Sequence, residues 1–159
     1  MLIERGCTLG TGVSIEDHAT IETGAHIGAG SFVVQGARVG ANAEIGPGCV
    51  LAGFLAERSV VGRNSRISGS LLHRHDSPHI NWDDYDEPAP TIGDQVFIAT
   101  GAMVIGPVSV GSHSYVAAGA IVTKDVPPRT IVLAVNEQTP IDAWRGRLRN
   151  TLAFGADDD

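Results

Sequence analysis

Three histidines crowd one stretch of this chain. His73, His75 and His79 fall in Leu72-His73-Arg74-His75-Asp76-Ser77-Pro78-His79. An imidazole has an unperturbed pKa of about 6.5, so it can take and return a proton near neutral pH. His73 is the singular one. The six-residue repeat upstream predicts a buried aliphatic side chain at that place, and a titratable ring takes it. The repeat then stops, and 18 residues, Arg74 to Thr91, run on before Ile92 restarts it. Loops this long in a compact domain are usually functional or disordered. Trp82 and Tyr85 argue against disorder, because disordered segments are poor in aromatics.

On an extended segment His75 shares the face of His73, which makes it a second candidate base or a substrate contact. Asp76 could orient either ring, with a solvated acid as the blander reading. His79, Asn81, Trp82 and Tyr85 are candidate substrate contacts, Trp82 or Tyr85 by stacking on a ring or by pinning the loop. Asp83, Asp84, Asp86 and Glu87 form an acidic patch. A solvated loop is its simpler reading, and recognition of an amine or of sugar hydroxyls the sharper one.

These side chains hang from a repeat, and the repeat decides the fold. Counting in sixes gives Ile3, Leu9, Ile15, Ile21, Ile27, Val33, Val39, Ile45 and Leu51. Four residues after each of the first eight stands a small or modest side chain: Cys7, Val13, Ala19, Ala25, Ser31, Ala37, Ala43 and Cys49. A period of six is neither the strand's 2 nor the helix's 3.6. It suits a coil with flat faces and tight corners, whose aliphatics stack one coil above the next. After Leu51 the frame slips to Leu55, Val61 and Ile67, which predicts a small insertion or bulge between Ala52 and Arg58. Beyond the long loop the repeat resumes at Ile92, Ile98, Val104, Val110, Val116 and Val122, and Pro127-Pro128 ends it. Thr130 to Val135 can add a last strand. Residues 1–140 therefore form one all-β domain with an excursion loop at 74–91. Residues 141–159 form a short basic helix and tail, with Pro140 near the helix start.

Composition excludes several classes. The chain has 159 residues and a net charge of −7, which argues against a nucleic-acid or anionic-membrane surface. No apolar run reaches the ~18 residues of a membrane span, and the N-terminus lacks a signal-peptide core. Cys7 and Cys49 both fall in small interior slots, so packing accounts for them. A cytoplasmic protein is the expectation. His18, His26 and His113 read as turn-facing surface residues.

The hexads, together with Thr91-Ile92-Gly93-Asp94-Gln95-Val96-Phe97-Ile98 and Ala120-Ile121-Val122-Thr123-Lys124-Asp125-Val126-Pro127-Pro128, carry a resemblance. The chain resembles the hexapeptide-repeat acyltransferases, and among them the galactoside, maltose and xenobiotic O-acetyltransferases. The resemblance implies a left-handed parallel β-helix and a homotrimer with acetyl-CoA held between neighbouring subunits. It also implies acetyl transfer to a hydroxyl or amine of a small, sugar-like acceptor. His73 matches the family's general base, which precedes an extended loop. Thr100, Ala118, Thr123 and Lys124 match positions that contact the pantetheine arm and phosphates of CoA. The chain departs from the family at Leu133-Ala134-Val135-Asn136-Glu137-Gln138-Thr139-Pro140-Ile141, where a Gly-Asn-Pro-Ala-like turn is usual. Two alternatives stand beside this reading. A γ-class carbonic anhydrase would hold zinc through His73, His75 and His79, but the spacing here is HxxxH rather than HxxxxH, and no metal is expected. A non-catalytic β-helix would serve in assembly or regulation.

Overall fold

A computed structural model describes residues 1–74 and 89–135. Its strands are two or three residues long and fall into three parallel sheets, which are the faces of a triangular coil. The first face stacks Leu2–Ile3, Thr20–Ile21, Arg38–Val39, Phe54–Leu55, Ser70–Leu72, Met103–Ile105 and Ile121–Val122. The second runs from Thr8–Leu9 through His26–Ile27, Glu44–Ile45, Val60–Val61 and Thr91–Ile92 to Ser109–Val110, and a bridge from Val110 to Val126 extends it. The third runs from Ser14–Ile15 through Phe32–Val33, Val50–Leu51, Arg66–Ile67, Phe97–Ile98 and Tyr115–Val116 to Ile131–Val132, the last strand expected from Thr130–Val135.

Each strand turns one side chain inward, and that residue is the hexad aliphatic. Ile21, Ile27, Val33, Val39, Leu51, Ile67 and Ile98 are wholly buried, in columns that run from coil to coil. The small fifth residues, among them Ala25, Ala43, Cys49 and Ala102, fill the inner corners and are equally buried. A larger side chain there would collide with the columns. The corners themselves need a residue in the left-handed region. Gly6, Gly12, His18, Gly24, Gly30, Gly36, Asn42 and Gly48 all have positive φ at six-residue intervals. Glycine meets that demand without Cβ strain, and asparagine tolerates it.

The frame slip after Leu51 is a deletion, which corrects the expected insertion or bulge. Leu55 pairs with Val39 on the first face, so the corner from Leu51 to Leu55 spans four residues where six is the rule. The same shortening recurs from Ile67 to Leu71, which pairs with Leu55 and with Val104. It recurs again from Val122 to Val126, which bridges Val110. In each case the fifth residue of one hexad becomes the inward aliphatic of the next. The shortened corners omit the left-handed residue altogether. They also pack more tightly. A Cβ on Gly53 would lie 1.8 Å from the carbonyl oxygen of Gly69, the equivalent glycine one coil on.

A second correction follows for His73. Leu71, not His73, fills the buried aliphatic slot after Ile67. His73 lies two residues further, half-buried, where the chain leaves the first face. Among the described residues no helix is long and apolar enough to cross a membrane. The basic helix expected at 141–150 and the domain boundary near 140 lie outside the described residues, as do His75, Asp76, His79, Asn81, Trp82 and Tyr85.

Candidate active site

The edge between the first and second faces gathers several of the candidate residues. Coils are stacked about 4.8 Å apart, so residues at one corner position form a ladder along the edge. One rung position reads Ala41, Glu57, His73, Gly106 and Lys124 in successive coils, as the pairings Leu55↔Leu71, Leu72↔Ile105 and Val104↔Val122 require. Gly106 has no side chain, so the rung between His73 and Lys124 is clear. An open depression lies there, lined by Leu72, His73, Arg74, Pro107, Thr123 and Lys124. The Gly106-Pro107 peptide in its floor is cis.

His73 is held by the coil beneath it. Its Nε2 lies 2.8 Å from the carbonyl oxygen of Glu57. A carbonyl only accepts, so Nε2 carries the hydrogen and donates it. A neutral ring in that tautomer has its lone pair on Nδ1. The side chain is therefore oriented by the backbone, as a proton acceptor must be to act at one defined atom.

Of the expected CoA contacts, Thr123 and Lys124 line the same depression as His73. Thr100 and Ala118 do not. Both are exposed and stand at the corner between the third and first faces, on neighbouring coils. The width of the first face separates the two pairs. Among the remaining histidines, His18 and His113 are exposed turn residues with positive φ, as expected. His26 differs: it is half-buried on a strand of the second face, because its place immediately precedes the inward Ile27. Cys49 is buried, with Sγ 3.1 Å from the carbonyl oxygen of Gly62, and burial pushes its thiol pKa above the ordinary 9.0. It packs, and it is remote from the depression. No group of three histidine, cysteine or acidic side chains suited to a metal occurs among the described residues.

The same edge holds residues that sequence reasoning missed. A second depression adjoins His73 on the N-terminal side and is lined by Glu22, Arg38, Phe54, Glu57 and Leu72. Arg38 donates from Nε to Glu22 Oε1 at 2.6 Å and lies over the ring of Phe54, 5.6 Å from its centroid. Glu22 Oε2 also accepts the backbone N–H of Ala41 at 3.1 Å. The signal was available in principle. Arg38 and Phe54 are register partners 16 residues apart, and Glu22 lies two residues past Thr20, the register partner of Arg38 one coil below.

Ser59, at the corner just past Glu57, is buried with an Oγ that has no hydrogen-bond partner among the described residues. Its counterparts explain why. Ser31, Ser65 and Ser114 each accept a backbone N–H from the equivalent residue one coil on, namely Cys49, Val96 and Thr130. The residue equivalent to those above Ser59 is Pro90, which has no N–H to give.

Known proteins share this fold and repeat. Residues 89–124 match the bacterial transferase hexapeptide (six repeats) family. The bifunctional protein GlmU of Streptomyces avermitilis is 33% identical over 91 residues, covering 57% of this chain and 18% of that protein. GlmU of Streptomyces coelicolor is 38% identical over 73 residues, covering 46% of this chain and 15% of the relative. The chain thus spans less than a fifth of these relatives' length. Perosamine N-acetyltransferase from Caulobacter crescentus, solved with CoA and GDP-perosamine, superposes with a TM-score of 0.51 at 22% identity, over 82% of this chain and 48% of that one. This is a hexapeptide-repeat β-helix of the kind found in bacterial transferases, and the resemblance drawn from the sequence holds for the fold and the repeat.

Proposed function

We propose that this chain is an acyltransferase that moves an acetyl group from acetyl-CoA to a hydroxyl or amine of a small, sugar-like acceptor, with His73 as general base. The observation that carries the proposal is the shared depression: an oriented imidazole, a cleared rung at Gly106 and a cation at Lys124 on one edge. The acceptor's oxygen or nitrogen attacks the thioester carbonyl carbon. The new bond forms as the carbon–sulfur bond breaks, Nδ1 of His73 takes the acceptor's proton, and the departing thiolate takes it back. Lys124 and Arg74 supply positive charge where phosphates would lie. Thr123 offers a hydroxyl at the same rim.

The cytoplasm is the compartment that goes with this reading, and a ring of three is the assembly. Closed symmetry is the usual form of homo-oligomers, and light scattering tests it: a stable monomer at micromolar concentration would count against three. The function itself is tested by calorimetric titration with CoA, beside thiol release from acetyl-CoA over a panel of acceptors. Lys124→Ala should weaken CoA binding about tenfold or more, the range for a charge-assisted hydrogen bond. Unchanged affinity would remove CoA from this depression.

A further inference from the structure

We infer that the depression on the N-terminal side of His73 is a subsite for a primary amine, with Glu57 as its recognition residue. As the acceptor's place it rests on the transferase reading above; as an amine pocket it stands on its own geometry. Among the described residues two depressions meet at His73, one towards Lys124 and one towards Glu22 and Arg38. The first holds the cations that suit phosphate, which leaves the second for the other reactant. A general base must touch both reactants, and the position of His73 between the two depressions meets that demand.

The polar inventory of the second depression sets the ligand class. Among the described residues that line it, the acids are Glu22 and Glu57 and the cation is Arg38, beside the His73 ring. That cation is already committed, bonded to Glu22 and laid over Phe54. The guanidinium and Glu22 cancel in charge, so among the described lining residues Glu57 leaves a net negative charge. Phe54, Leu55 and Leu72 supply apolar wall. A phosphate or carboxylate would meet a like charge and an occupied guanidinium. An ammonium only donates, and it meets an acceptor beside an apolar surface. Glu57 is also the residue whose carbonyl anchors His73, so an amine bound by its side chain lies next to the base. The reacting species is the neutral amine, after one proton is lost to solvent. Nitrogen bonds to the acetyl carbon, the carbon–sulfur bond breaks, and His73 carries the second proton to the thiolate.

The test uses cyclohexylamine and cyclohexanol, which share a ring and differ in the donor. Binding of each to the whole chain at pH 7 is followed by ligand-observed NMR, with a parallel titration of CoA. The amine should bind at least about fivefold more tightly than the alcohol. Glu57→Gln should remove that preference without changing CoA affinity, and Glu44→Gln, on the second face, should leave it intact. Equal binding of amine and alcohol, or a preference that survives Glu57→Gln, overturns the inference. Amine preference without CoA binding would instead sink the transferase reading and leave the pocket standing.

Discussion

Two edges of the same coil behave differently. Every corner between the second and third faces has one residue with positive φ at one place: Gly12, Gly30, Gly48, Asn64, Gln95, His113 and Arg129. The edge between the first and second faces begins in the same way, with Gly6, Gly24, Asn42 and Arg58. It then departs from the rule in each remaining coil. After His73 the chain makes its long excursion, at Gly106-Pro107 the corner is built on a cis peptide, and at Thr123-Lys124-Asp125 it is two residues short. The uniform edge keeps the repeat in every coil. The irregular edge carries both depressions and, among the described residues, the one histidine whose ring is anchored to a neighbouring coil's backbone. A repeat satisfies its own hydrogen bonds and packing, so it offers little to a ligand. Chemistry becomes available where the repeat is interrupted and side chains or backbone are released from it.

The strongest way to break this comparison is to exchange histidines between the edges. His73→Ala should lower kcat by about 10²–10⁴-fold, with CoA affinity unchanged. His113→Ala, on the uniform edge, should leave turnover as it was. Equal losses in the two variants, measured by thiol release, would mean that the irregular edge is not the catalytic one.

A smaller effect separates the two kinds of tight corner. Gly53→Ala drives a Cβ into the carbonyl of Gly69, and overpacking of this kind costs about 1–3 kcal/mol or more. Gly12→Ala meets no atom within 4 Å and suffers only the left-handed strain, about 1–2 kcal/mol. Urea unfolding of both variants checks the order. If Gly12→Ala is the more damaging, steric closure is not what sets the shortened corners.

The serines sharpen the contrast further. Ser65→Ala removes a hydroxyl that donates to the Gly93 carbonyl and accepts the Val96 N–H, so it should cost about 1–3 kcal/mol. Ser59→Ala removes an unsatisfied oxygen and should be neutral or slightly stabilising. A large loss at Ser59 in the same unfolding experiment would show that its oxygen is engaged.

The smallest effect is at Glu4, where the first-to-second edge is still regular. Hydrogen bonds from the Thr23 hydroxyl and backbone N–H hold its carboxyl below the ordinary 4.5. The folded pKa is the lower one, so this contribution is fully present above about pH 4.5 and is lost as pH falls through the folded value. Glu4→Gln should therefore lower stability slightly at pH 7 and make no difference at pH 2. A variant penalty that persists at pH 2 would refute the assignment.

The sequence by itself determined the coil. A six-residue spacing of aliphatics, with small residues four later, admits one way of burying a continuous core, and the inward columns are those residues. It also marked His73, Thr123 and Lys124, which the fold brings to one depression. Tertiary structure decided the register. Leu71 or His73 could follow Ile67 as far as local spacing goes. Pairing with Leu55 below and Val104 above selects Leu71, because the columns must align across coils. That choice moves His73 out of the core and onto the edge. It also gathers Glu22, Arg38 and Glu57 beside the ring, while the first-face strands Met103–Ile105 and Ile121–Val122 hold Thr100 and Ala118 apart from Thr123 and Lys124. Neighbours in this fold lie one coil apart, and a coil is 16 residues long in one place and 18 in another. Contacts along the edges therefore depend on where each corner is shortened, which hydrogen bonding between coils fixes and a single chain's periodicity does not.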